Sequence, residues 1–292
     1  MAPLAPLHGF CMKTLFFCLL SFLMLAMGTA TPAWAEPCDA MGPDNRMPAL
    51  TNEKLGAQTR LLCNSAFVVL YSGVARDPIW SAEHLTASVI RQAQATPRRG
   101  EFQPDDRLPA SARAELSDYV HSGYDRGHMS PSGDMPDDAT QEESFRLSNV
   151  VPQTAALNRG RWEEIESAVR RLTLRDGDIY VVTGPAFHTR RLSTIGSDRV
   201  LVPTSTWKAV YDPRQQVAGV YVCRNAVRTP ACHRVTIATL IETVGVDPFP
   251  ALPPALKQTY ITLPIRTVWH GSSRRSSRRH THRRRSRYYR HV

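Results

Sequence analysis

Arg126 and His128 stand two residues apart in SGYDRGHMSPSGDM, residues 122–135, a stretch with hardly an apolar side chain. An imidazole changes charge near neutral pH and can serve as a general base. A guanidinium offers a planar fork of donors that matches phosphate oxygens. Taken alone, the letters D-R-G-H recur by chance, and so polar a segment reads as a surface loop whose histidine is merely exposed. A second stretch changes that balance. In NRGRWEEIESAVR, Asn158, Trp162, Glu166 and Arg170 recur at steps of four, and such steps drift slowly round a helix. An amide oxygen, a carboxylate and a guanidinium therefore share one face near a helix N-terminus. The plainer reading is a solvated face with a Glu166–Arg170 pair. The chemical reading is a sparse oxygen site of the kind magnesium takes, with few protein ligands, retained waters and a substrate phosphate. A neutral asparagine as the direct ligand leaves the ion's charge intact to polarise phosphate.

The elements that must position these groups are legible in outline. Residues 67–74 (FVVLYSGV) and 79–86 read as strands with a proline turn between them. Residues 111–121 (SARAELSDYVH) have a helical pattern that Gly123 ends. Thr140 and Glu143 form a capping-box pattern that opens a short helix before Phe145. Residues 157–172 read as a longer helix with Trp162, Ile165, Val169 and Leu172 on its apolar stripe. Strands are expected at 179–183, 207–211 and 217–222. Strands and helices do not alternate strictly, which argues against a parallel doubly wound sheet. The expected class is α+β, an antiparallel or mixed sheet core flanked by helices.

The two ends of the chain are different in kind. Lys13 precedes the apolar run 14–27, and Ala33-Trp34-Ala35 follows it. This is the pattern of a secretory signal peptide over residues 1–35, cleaved after Ala35, and Met12 is an alternative start. The run is short for a membrane span, so no transmembrane segment is expected in the mature chain. The expected location is exported, periplasmic or extracellular. Cys38, Cys63, Cys223 and Cys232 then remain, and an oxidising compartment favours two disulfides. Of the three pairings, the local one is preferred, Cys38 with Cys63 and Cys223 with Cys232. No C-x-x-C pair favours zinc, nor does the spacing of His121, His128 and His188.

Residues 272–292 hold nine arginines, three histidines and no acid. They read as a disordered basic tail that contacts nucleic acid or an anionic envelope surface, unless it is simply a solvated run. Without Lys13 and those nine arginines, the 36 basic residues fall to 26, equal to the 26 acids. The strongly positive net charge thus describes the tail. Residues 36–271 form one near-neutral domain, of a length suited to a single core.

The motifs Y-D-R-G-H-M-x-P-S-G-D-M, S-N-V-V-P-Q and N-R-G-x-W-x-x-I-E resemble the DNA/RNA non-specific endonuclease family. The resemblance runs from about Cys38 to Gly271. It implies a ββα-metal active-site motif and Mg2+ as cofactor, with Mn2+ able to substitute. His128 would activate the attacking water, Asn158 would bind the metal directly, and Glu166 would hold metal waters from behind. Arg126 and Arg170 would bind phosphate, joined by either Arg98 or Arg99. Asn149 would orient His128 or substrate, and Asp125 is given no part beyond shaping the turn. The implied activity is exported, Mg2+-dependent, sequence-non-specific hydrolysis of DNA and RNA to 5′-phosphate ends. The alternative is a catalytically weak nucleic-acid-binding protein on the same fold, for example in DNA uptake.

Overall fold

The structure is a computed structural model that describes Cys38, residues 41–228 and residues 230–265. The expected signal peptide at 1–35 and the expected basic tail at 272–292 lie outside the described residues. The first strands are β1 (Ala49–Leu50), β2 (Thr59–Cys63), β3 (Val68–Ser72), β4 (Asp77–Thr86), β5 (Asp125–His128) and β6 (Val150–Gln153). They are followed by β7 (Asp178–Ala186), β8 (Thr194–Ile195), β9 (Val200–Leu201), β10 (Ser205–Asp212), β11 (Val217–Arg224), β12 (Cys232–Val235) and β13 (Val246–Asp247). The α-helices are α1 (Ala87–Ala95), α2 (Leu116–Tyr119), α3 (Asp138–Ser144), α4 (Glu163–Asp176) and α5 (Ile237–Val244).

Seven strands make the central sheet in the order β12-β11-β10-β7-β4-β3-β2, and every neighbouring pair is antiparallel. The open choice between an antiparallel and a mixed sheet is thus resolved to antiparallel, within an α+β fold. Its central strands are buried on both faces: all eight residues of β10 are buried. Trp207, Ala209 and Tyr211 of β10 join Trp80, Phe249 and the α5 residues Ile237 and Leu240 in one apolar cluster. Val210 joins Trp162, Ile165, Val169 and Leu172 in a second cluster with Ile90 of α1. Alternation along the strand therefore packs α5 on one face and α1 with α4 on the other. Burying each such side chain contributes about 1.5–3 kcal/mol, which fixes α4 against the sheet. Among the described residues, no helix is long and apolar enough to cross a membrane.

Both expected disulfides are present, Cys38–Cys63 and Cys223–Cys232. Cys223 and Cys232 face each other across β11 and β12.

Four local expectations are corrected. The helix expected over 111–121 shrinks to the single turn α2, because Arg113 is extended (φ −111°, ψ 161°) and Glu115 is the N-cap. Arg113 binds Glu115 at 2.7 Å and Asp106 at 2.6 Å, which holds the chain open at that point. The N-cap of α3 is Asp137, with Thr140 as its reciprocal third residue, so the capping box begins three residues earlier than expected. The turn before β4 falls before Asp77, with Arg76 at φ 55°, and Pro78 lies inside the strand. Finally, D-R-G-H is not a loop but the strand β5.

Candidate active site

Of the residues singled out in the sequence, Arg126 and His128 lie on β5, and Asn158, Glu166 and Arg170 on the turn and helix that follow β6. β5 and β6 pair antiparallel, with Arg126 opposite Pro152 and His128 opposite Val150. Alternate residues of a strand face the same side, so Arg126 and His128 project together. A Cβ on Gly127 would come within 2.5 Å of Gln153 Oε1, so the two strands close only over a glycine.

His128 is only 8% exposed. Its ring lies against Phe102 and Phe145, with centroids 5.1 and 5.0 Å away, and its Nε2 has no hydrogen-bond partner among the described residues. Burial, and then the positive charge of Arg98, lower its pKa to about 3. The imidazole is therefore neutral at pH 7, with a lone pair free for a proton. Asn149 clamps the backbone just beyond it. Its Nδ2 donates to the carbonyls of Ser130 (2.8 Å) and Ser144 (3.0 Å), and its Oδ1 accepts from Ser130 N–H at 3.0 Å. Met129 N–H donates to the Asn149 carbonyl at 2.9 Å. Asn149 is fully buried and does not line the cleft, so its reach to His128 is through the backbone.

That cleft, of about 450 Å³, is lined by Arg98, Arg126, His128, Asn158 and Glu166, together with Phe102, Tyr119, Tyr124, Asp125, Arg159 and Glu163. Arg126 lies over the Phe102 ring at 4.7 Å and Arg98 over the Phe145 ring at 5.3 Å. Among the described residues, neither arginine has a carboxylate within ion-pair distance. Arg99 points elsewhere, 3.5 Å from Asp138, so the structure separates the two neighbours that sequence left as alternatives. Arg170 is not in the cleft lining either. Its guanidinium donates to Asp134 Oδ1 and Ser167 Oγ, each at 2.9 Å, beneath Gly133.

The helix expected over 157–172 begins as a π-type turn, Leu157–Trp162, in which Gly160 leaves helical geometry (φ −123°, ψ −109°), and only then becomes α4. The side chain of Asn158 is aimed by Asp125, whose Oδ2 accepts from Asn158 Nδ2 at 3.0 Å. A carboxylate only accepts, so the amide nitrogen must face Asp125 and the amide oxygen must face away. Arg159 grips the same carboxylate through Nε (2.8 Å) and Nη2 (2.7 Å). Burial pushes the Asp125 carboxyl up, but the hydrogen bonds from Arg159 and Asn158 outweigh it and hold it below the usual carboxylate range. Sequence reasoning gave Asp125 no chemistry; its signal was a charged residue at a strand start, facing a turn that also carries an arginine.

Glu166 is half-buried on the cleft wall. Burial pushes its carboxyl up to about 7, against the pull of Lys208 and Arg170. Among the described residues, no three His, Cys, Asp or Glu side chains form a metal cage. The donors present are an oriented amide oxygen and one carboxylate. These hard oxygen groups suit a small divalent ion that retains water. A further anchor was missed in sequence. Asn225, inside the loop closed by Cys223–Cys232, donates to the carbonyls of Pro152 and Pro203 (both 3.0 Å) and accepts from Thr154 N–H at 2.8 Å. Thr154 in turn accepts, through its carbonyl, from Asn158 N–H at 2.9 Å.

A strand pair that presents an imidazole and a free arginine, followed by a turn and helix that present an amide oxygen and a carboxylate, is a ββα module. Residues 48–254 match the DNA/RNA non-specific endonuclease family, and the chain belongs to it. It is 35% identical over 216 residues to the mitochondrial nuclease EXOG of Danio rerio, covering 68% of this chain and 62% of that protein. It is 36% identical over 176 residues to nuclease C1 of Cunninghamella echinulata var. echinulata, covering 54% and 68%. A solved structure of the EndoG/EndoGI complex superposes with a TM-score of 0.62 at 29% identity, over 75% of this chain and 92% of that one. The matched segment spans less than two thirds of the length of several of the curated relatives.

Proposed function

We propose that this protein is an exported, Mg2+-dependent endonuclease that hydrolyses phosphodiester bonds of DNA and RNA without sequence preference, leaving 5′-phosphate ends. The observation that carries this reading is the convergence of neutral His128, unpaired Arg126 and oriented Asn158 in one cleft, with Glu166 beside them. Arg126 and Arg98 draw the phosphate in, and the charge it brings offsets the effect of Arg98 on His128. His128 takes a proton from water as the water oxygen attacks phosphorus in line with the departing 3′ oxygen. The P–O3′ bond breaks, the 3′ oxygen takes a proton from solvent to leave as a hydroxyl, and His128 then returns its proton to solvent. A divalent cation, held directly by Asn158 Oδ1 and through water by Glu166, would neutralise charge on the phosphoryl and leaving oxygens. The arginines, imidazole and amide of the cleft suit phosphate rather than base edges, which would leave sequence discrimination weak. Export is supported by the two disulfides, since such bonds persist in oxidising compartments. The test is a gel assay of plasmid DNA and RNA with Mg2+, with chelator and with His128→Ala. Cleavage of both substrates that chelator stops, and that His128→Ala loses by about a thousandfold or more, is expected. Wild-type rates for His128→Ala would overturn the assignment.

A further inference from the structure

Lys208 lies on the sheet strand β10 and is 1% exposed. Its register partner across the sheet is Thr183, and its Nζ donates to Thr183 Oγ1 at 2.6 Å. The same Nζ donates to the carbonyl of Met129 at 3.3 Å, the residue directly after His128. It also lies 5.4 Å over the ring of Trp162, the last residue of the turn that carries Asn158. One ammonium therefore touches the sheet, the strand of the base and the turn of the oxygen ligand. The charged groups facing this region are Glu83 of β4, Asp134 of the turn after β5, and Glu166 and Arg170 of α4. Other struts join the β5–β6 pair to the sheet, Ser81 to Ser130 just past β5 at 2.6 Å and Gln153 to Thr206 at 3.2 Å, but neither reaches the turn that carries Asn158.

Fold stability gives little reason for a lysine here. A buried charge loses hydration, and a buried charged cluster replaced whole by apolar side chains is often neutral or stabilising, whereas removing one member strands the rest. What an apolar side chain cannot do is bond the Met129 carbonyl. We propose that Lys208 is a positioning residue, whose ammonium fixes the His128 strand and the Asn158 turn at their working separation. The proposal rests on the functional reading above. Misplacement of about 1 Å between reacting groups costs on the order of a hundredfold in rate.

The test compares wild type, Lys208→Met and Thr183→Val in steady-state cleavage, thermal melting and NMR of 13C-histidine-labelled protein in chelator. Lys208→Met is expected to lower Tm, because it removes the cation beside Glu83 and Glu166. At temperatures where it stays folded, it is expected to lose about a hundredfold in kcat, to change KM for DNA little, and to shift the His128 ring resonances. Thr183→Val, which keeps the lysine but removes one of its anchors, is expected to move kcat in the same direction by less. Folded Lys208→Met with wild-type kcat and an unmoved His128 signal would overturn the proposal. So would a loss confined to KM, or one that disappears at temperatures well below the variant's Tm. If Lys208→Met does not fold, Thr183→Val decides, and wild-type kcat there overturns the idea. If the wild-type protein cleaves nothing, the functional reading fails, while the His128 resonances still report on positioning.

Discussion

On one wall of the cleft His128 sits against two phenyl rings, and on the other Glu166 sits among Lys208, Arg170, Asp134 and Glu163. Withdrawal from water acts on both, yet with opposite results. It penalises the charged form, so the histidine stays neutral and the glutamate is pushed toward its protonated form. The aromatic wall therefore holds its group in the state a general base needs before anything binds. The charged wall holds a carboxyl whose ionised form would be favoured only once a cation is held beside it. One side of the site is preset, and the other is responsive.

This contrast can be broken most forcefully at Asn158. Asn158→Ala is expected to lower kcat/KM by about a thousandfold while leaving the His128 environment intact, as read by histidine NMR. Asp125→Ala should act on the same wall at one remove. With the amide no longer aimed, Mg2+ affinity from titration of activity is expected to fall about ten- to a hundredfold. A variant with unchanged Mg2+ dependence would deny Asp125 its role. Arg98→Ala should lower kcat/KM about tenfold, through the loss of one charge-assisted contact, and Arg99→Ala should change it little. Equal effects would break the distinction between these neighbours.

The smallest effect is in stability against pH, measured as Tm in chelator. The Glu166 carboxyl is raised from 4.5 to about 7 in the folded protein. Its contribution is complete below 4.5 and is lost as pH rises toward 7, so Glu166→Gln should flatten a decline across that window. His128 is lowered from 6.5 to about 3, so its contribution is complete above 6.5 and is lost as pH falls toward 3. His128→Phe should flatten that acid-side decline and leave the Glu166 window in place.

The site was legible where spacing alone encodes geometry. The N-x-x-x-W-x-x-x-E spacing brought Asn158 and Glu166 to one cleft even though Gly160 breaks the helix between them. Arg126 and His128, in contrast, were legible only by residue type, since the strand that puts them on one side was read as a loop. The central strands were legible because their β-branched and aromatic runs are buried on both faces. What stayed hidden depended on partners far away in sequence. Arg170 matches its motif but is engaged by Asp134, and Arg98 differs from Arg99 only through the path of one loop. Lys208, between Trp207 and Ala209, gives no local sign that its ammonium reaches Met129. The polarity of 122–135 pointed to a loop, whereas the segment is polar because its groups bond to partners distant in sequence inside the fold. Ser130 reaches Ser81, and Asn149 saturates the backbone around it.

The two uncommitted arginines have a consequence for how a polyanion is met. The domain outside the two ends has equal numbers of basic and acidic residues. Arg159 and Arg170 are neutralised by Asp125 and Asp134. Such a surface has little net field at distances beyond the roughly 8 Å over which physiological salt screens charge. Its attraction is confined to a slot where Arg98 and Arg126 lie on aromatic faces, with no carboxylate among the described residues within ion-pair distance. The domain would thus recognise an anionic polymer by touch rather than by long-range steering. Its encounter rate would depend only weakly on ionic strength, while its residence time would depend on how well a single phosphate seats.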